Sequence, residues 1–254
     1  MSADEVRARL EGVVKDYPRR DGGGHLRALA GVDMEVHAGE AVGLLGPNRA
    51  GKTTAAKALL GLTRPDAGRA ERFGRPASDR VTLARVGFVP DAPVFPPHRS
   101  ARATLRLLGS LSGLGGRDLA LRTEQTLERV GLDDRRREPV GRFSRGMIQR
   151  LALAQAILHG PDLLILDEPS FGLDLAGREL LGELIRERRE AGAAVLLITH
   201  STGVAGLLCD RIVVLVAGTV VHDGPTSALR GGDGRLPLDT SLSRLYGMTP
   251  GGAA

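Results

Sequence analysis

The sequence predicts an α/β fold built on a largely parallel sheet with helices on both faces. Short, continuous apolar runs at 41–45, 86–89, 163–166 and 194–198 have the length and uniformity of strands buried on both faces. Amphipathic stretches of helical spacing alternate with them, as the crossovers of a parallel sheet require. A Gly-rich turn also joins the first run directly to a helix.

Taken in chain order, 6–14 has an apolar-rich strand pattern that leads to Tyr17, and 21–24 (Asp-Gly-Gly-Gly) is a turn. Residues 26–36 alternate loosely and end at a second turn, 37–40, before the buried strand 41–45. Residues 46–51 form a loop, and 52–62 read as a helix closed by Gly61 and, further on, by Pro65. After the strand 86–89 the chain changes character. Residues 104–114 and 119–130 are helical by spacing, separated by Gly115-Gly116, and 146–158 is a further helix, so a helical subdomain is expected at about 92–158. Strand 163–166 is followed by an amphipathic helix at 177–191, a strand at 194–198 and a helix at 201–209. Runs 212–216 and 219–221 form a hairpin around Ala217-Gly218. Beyond Pro225 the chain is Gly-rich and polar, with room for a short helix around 242–246 and a disordered end at 250–254.

Composition excludes several classes. The chain of 254 residues is 42% hydrophobic, ample for a large core, but only 3% aromatic and without Trp, so that core is built from Leu, Val, Ile and Ala. The 35 glycines and 14 prolines show no short period, which excludes collagen-like and low-complexity chains. The net charge is +5, but all basic residues except Lys15, Lys52 and Lys57 are arginines, and they are mixed with 30 acidic residues along the whole chain. No aromatic-interleaved basic stripe is present, so no nucleic-acid partner is expected. The single cysteine, Cys209, allows no intrachain disulfide and reads as a small buried hydrophobe within the 201–209 helix. The charged start of the chain predicts no leader peptide, and no run approaches the ~20 apolar residues of a membrane span. The expected compartment is the cytosol.

The chemistry concentrates at two places. Gly46-Pro47-Asn48-Arg49-Ala50-Gly51-Lys52-Thr53, followed by Thr54, fits the pattern G-x-x-x-x-G-K-[ST] between a buried strand and a helix. Its glycines let the backbone curl so that successive N–H groups converge on phosphate oxygens, and the helix adds the positive end of its dipole. Lys52 can reach the β- and γ-phosphates of a nucleoside triphosphate, and the Thr53 hydroxyl can ligate Mg²⁺. The second place is Leu163-Leu-Ile-Leu166-Asp167-Glu168-Pro169, a buried strand whose carboxylates appear where it emerges. Ligands of open parallel sheets sit at that end of the strands. Asp167 would face Mg²⁺ across from Thr53, and Glu168 would polarise the attacking water. The bland alternative for the acidic pair is a helix N-terminus, since Pro169 follows.

Further motifs narrow the class. Phe143-Ser144-Arg145-Gly146-Met147, followed by Gln149-Arg150, heads a helix, and Met147 precedes Asp167 by 20 residues. With it, residues 6–224 resemble the nucleotide-binding domain of ABC transporters. The resemblance implies a P-loop NTPase with a RecA-like, mostly parallel core, an antiparallel β subdomain and a helical signature subdomain within an ATPase domain at 1–224, leaving 225–254 as a short C-terminal tail. It implies that Ser144 and the N–H groups of Arg145 and Gly146, at a helix N-terminus, complete the ATP site of a second copy, so that two chains sandwich two nucleotides. The segment Ser170-Phe-Gly-Leu-Asp174 resembles the loop that crosses this interface. His200 matches the switch histidine that contacts the γ-phosphate and orients Glu168. Tyr17 matches the aromatic that stacks on adenine.

Three positions depart from the family. Arg49 stands where Gly is usual; a Cβ is tolerated there only if φ is not strongly positive, and the guanidinium either contacts phosphate or the partner's signature loop, or points to solvent. Asp91 stands where Gln is usual and can still ligate Mg²⁺, directly or through water. Arg145 and Met147 replace signature Gly and Gln.

The resemblance implies an ATP-hydrolysing subunit that binds ATP and Mg²⁺ and closes as a homodimer. It would power a separate integral-membrane permease, in the manner of exporters, from the cytoplasmic face of the cell membrane. Residues 91–100, with Phe95 and three prolines, would dock the permease's coupling helix. A soluble ABC ATPase acting on a macromolecular partner is the competing reading, disfavoured by a single cassette without a heptad run. A module that binds ATP without hydrolysis is disfavoured by Glu168 and His200.

Overall fold

The computed structural model describes residues 5–19, 23–230 and 238–247. A six-stranded sheet forms the centre, in the order β10 (Thr219–Pro225), β9 (Arg211–Val216), β3 (Ala41–Leu45), β8 (Ala194–Ile198), β7 (Leu163–Asp167), β6 (Val86–Val89). All neighbours pair in parallel except β10, which turns back on β9 through Ala217 (φ 47) and Gly218 (φ 81). A second, antiparallel sheet has the order β2 (His25–His37), β1 (Val6–Pro18), β4 (Ala67–Arg72), β5 (Arg75–Pro76).

The uniform apolar runs are explained by burial on both faces. Along β7 and β8, side chains alternate between two cores. Leu163, Ile165, Ala194, Leu196 and Ile198 join Leu10, Val13 and Leu29 of the antiparallel sheet and Leu59 of α1 (Lys52–Leu59). Leu164, Leu166, Val195 and Leu197 join the opposite core, with Leu105, Leu127, Leu151 and Leu184. Those leucines come from α2 (Ala101–Leu111), α3 (Gly116–Arg129), α4 (Arg145–Ile157) and α5 (Leu175–Glu190). Two short helices, α6 (Thr202–Leu208) and α7 (Leu238–Tyr246), complete that face, with Leu238 and Leu242 buried. The period-2 geometry of a strand therefore puts Asp167 on the α1 side of the sheet.

Several boundaries differ from the sequence reading, and caps explain two of them. Helix α2 starts at 101 rather than 104 because the Ser100 side chain accepts from the Ala103 N–H at 3.2 Å. Helix α5 starts at 175 because Asp174 accepts from the Gly177 N–H at 2.8 Å. Gly116, read as part of a spacer, is the first residue of α3. Cys209 lies just past α6 in extended backbone rather than within the helix, and burial pushes its thiol up to about 12. The expected disordered end at 250–254 lies outside the described residues.

Strands β4 and β5 had no counterpart in the sequence reading. Ala67–Arg72 reads as polar, yet Arg72 is fully buried. Its guanidinium donates to Thr82 Oγ1 at 3.0 Å, to the Asp79 carbonyl at 3.1 Å and to the Leu59 carbonyl at the end of α1. A buried cation here is neutralised by carbonyl dipoles, those of a helix C-terminus among them.

Candidate active site

The phosphate-binding loop leaves β3 through Gly46 (φ 155) and enters α1 through Gly51 (φ 109). Both conformations favour glycine, and space enforces the choice: an added Cβ would lie 2.1 Å from the Leu215 carbonyl oxygen at Gly46 and 2.3 Å from that of Ala28 at Gly51. The loop is thus seated against β9 on one side and β2 on the other. Arg49 has φ 68, so the expectation that a side chain there requires φ outside the positive region is corrected. The turn demands the left-handed conformation, and arginine adopts it at a cost of roughly 1–2 kcal/mol.

One cavity of about 340 Å³ gathers Tyr17, Asn48, Arg49, Ala50, Gly51, Lys52, Thr53, Thr54, Asp91, Asp167 and Glu168. Lys52 is mostly buried, and its ammonium donates to the carbonyls of Gly46 at 2.7 Å and Pro47 at 3.0 Å. Burial pushes its pKa down, opposed by the charges of Glu168 and Asp167. The Thr53 hydroxyl donates to Asp167 Oδ2 at 3.0 Å. Burial raises the Asp167 pKa, partly offset by that hydrogen bond. A hydroxyl, a carboxylate and the nearby Asp91 carboxylate are hard oxygen donors. Among the described residues there is no group of three or more His, Cys, Asp or Glu side chains fit to hold a metal by itself. That set suits Mg²⁺, which keeps most of its positions for water and phosphate.

Glu168 follows Asp167 but leaves the strand with φ 48, while its N–H still donates to the Ile198 carbonyl at 2.8 Å. The turn brings its carboxylate into a cluster of donors. Oε1 accepts from the His200 N–H at 2.9 Å and lies 2.8 Å from His200 Nδ1; Oε2 accepts from the Thr199 hydroxyl at 3.2 Å. The histidine therefore reaches the site through Glu168. Thr199 is fully buried and was not singled out in the sequence, nor were Leu26, Arg27 and Ala28, which line the cavity beside Tyr17. The latter arrive through the pairing of Tyr17 with Leu26, a register that spacing alone does not disclose.

Ser144, Arg145, Gly146 and Asp174 do not line this cavity. Ser144 caps α4, its hydroxyl accepting from the Met147 N–H at 3.3 Å. The Arg145 guanidinium lies over the Phe171 ring, 5.3 Å from its centroid. Asp174 accepts from Arg150 at 3.0 Å, which ties the 170–174 loop to α4. Gln149, buried one turn into α4, donates to the Pro169 carbonyl at 3.0 Å and links that helix to the Asp167-Glu168 turn. The signature residues thus form a second surface, separate from the cavity and joined to it through Gln149.

Comparison with known proteins agrees with this geometry. The profile of the ABC transporter family matches residues 29–171. The chain is 40% identical over 222 residues to the Nod factor export ATP-binding protein I of Burkholderia lata, covering 87% of this chain and 72% of that protein. It is 35% identical over 210 residues to an uncharacterized ABC transporter ATP-binding protein of Synechocystis, covering 82% of this chain and 59% of the other. A solved ATP-binding subunit of an ABC transporter superposes with a TM-score of 0.84 at 29% identity, covering 94% of this chain and 99% of that one. A dimeric bacterial ABC transporter cassette gives 0.79 at 25% identity, with 86% and 98% covered. With both halves of the nucleotide site brought to one cavity and relatives of this kind, the chain belongs to the ABC transporter family as an ATP-binding protein.

Proposed function

We propose that the chain binds MgATP in the cavity between Tyr17 and Glu168, hydrolyses it, and by closing on a second copy drives a separate integral-membrane permease at the cytoplasmic face of the membrane. The observation that carries this is the meeting of Lys52, Thr53, Asp167 and Glu168 around one cavity, with Glu168 held by Thr199 and His200. The loop N–H groups and Lys52 hold the phosphate tail, and Tyr17, half-buried at the other end, offers a ring for the base. Thr53 and Asp167, with Asp91 beside them, would hold Mg²⁺, which would supply charge neutralisation at the phosphates. Glu168 orients and polarises the water that attacks in line with the leaving group, and His200 fixes the carboxylate's direction.

The signature surface of Ser144, Arg145 and Gly146 supports closure on a second copy, as the dimeric cassette relative suggests. The segment 91–100 joins Asp91 in the cavity to an exposed Val94 (89%) and a Phe95 packed on the core, which supports a docking role toward the permease. The name of the Burkholderia relative supports export as the direction. The test is ATPase activity of purified protein. Lys52→Ala and Glu168→Gln should each lower turnover by at least ~100-fold; turnover surviving unchanged in both would sink the assignment.

A further inference from the structure

We propose that Arg49 is a second cationic ligand of the nucleotide's phosphate tail and sets the preference of the cavity for a triphosphate over a diphosphate. The proposal rests on the ATP-binding reading above and adds a side chain to it. The starting observation is backbone conformation. At φ 68 the position favours glycine, and an arginine there is strained. Strain retained at a ligand-facing turn is a pointer to use.

The second observation is partnership. Three cations line the cavity. Arg27 is engaged by Asp16 through two contacts of 3.0 Å. The Lys52 ammonium is bonded to the Gly46 and Pro47 carbonyls. Arg49 is exposed, and among the described residues no hydrogen bond or ion pair engages its side chain. The third observation is charge. Asp91, Asp167 and Glu168 line the same cavity, so Lys52 alone would face three carboxylates while a polyanion binds. Arg49 corrects that balance. Its planar fork presents N–H donors that fit two phosphate oxygens at once. Because the attraction scales with the ligand's charge, the triphosphate gains more from it than the diphosphate does.

The experiment is calorimetric titration of ATP, ADP and adenosine into wild-type protein, Arg49→Gly, Arg49→Lys and Lys52→Ala, in chelator so that turnover is silent. Arg49→Gly should bind ATP about tenfold more weakly, ADP less affected and adenosine unchanged, while its Tm rises by ~2 °C because the turn is relieved. Arg49→Lys, which keeps a point charge without the fork, should fall between. Wild-type ATP affinity should decline more steeply with added KCl than that of Arg49→Gly. ATP and ADP affinities unchanged in Arg49→Gly, or lowered by the same factor as adenosine, would overturn the proposal. Lys52→Ala separates the two layers: if it too binds ATP as tightly as wild type, the nucleotide reading itself fails. If it loses ATP while Arg49→Gly does not, only the role of Arg49 falls. Should Arg49→Gly not fold, Arg49→Ala takes its place in the same titrations, and a wild-type ATP-to-ADP affinity ratio and salt slope there would overturn the proposal.

Discussion

Glu168 is held at both carboxylate oxygens, by the Thr199 hydroxyl on one and by the backbone and ring of His200 on the other. In the role proposed above, orienting water, the carboxylate needs a fixed direction, and each contact restricts it. The same hydroxyl accepts from the Ser201 N–H at 3.0 Å, so Thr199→Val should lose about 1 kcal/mol of stability, bind ATP with wild-type affinity and lose about tenfold in kcat, the worth of one hydrogen bond to a charged group. Steady-state kinetics check this, and an unchanged kcat would show that His200 alone suffices. At this scale much of the site was legible: Lys52, Thr53, Asp167 and Glu168 carry side chains whose chemistry and spacing name their task. Thr199 was not, because a buried threonine at a strand end ordinarily satisfies backbone. The positive φ of Arg49 was hidden as well, since backbone conformation leaves no trace in an arginine's identity.

Among elements, α4 joins the two functional surfaces. Ser144 caps its start, and one turn later Gln149 reaches the Pro169 carbonyl beside the Asp167-Glu168 turn. Because Gln149 is buried, its amide has no competing water, and the carbonyl it serves has few alternatives. Gln149→Leu should cost about 1–3 kcal/mol of stability by orphaning that carbonyl, read from urea unfolding; a variant as stable as wild type would remove Gln149 from this role. The strands of the central sheet were legible because both their faces are apolar. Helix starts were displaced where a capping Ser100 or Asp174 outweighed apolar spacing. Strand β4 was illegible because, of its two inward residues, Ala70 is small and Arg72 is one that sequence patterning sends to solvent.

For the whole molecule, the cavity and the signature surface lie apart, so one chain by itself does not bring them together. Glu168→Gln, expected to bind ATP and to cleave it only slowly, should sediment at twice the mass of the chain in saturating MgATP and at the monomer mass in ADP. A monomer under both conditions would refute closure by two copies. Arg72 has a mechanical corollary for that closure. Its buried bond to the Leu59 carbonyl fastens the antiparallel sheet, which carries Tyr17, to the far end of the helix that begins at Lys52. The Tyr17 side and the Lys52 side of the cavity are thereby joined, and the closing motion proposed above would hinge elsewhere, where α2, α3 and α4 meet the sheet.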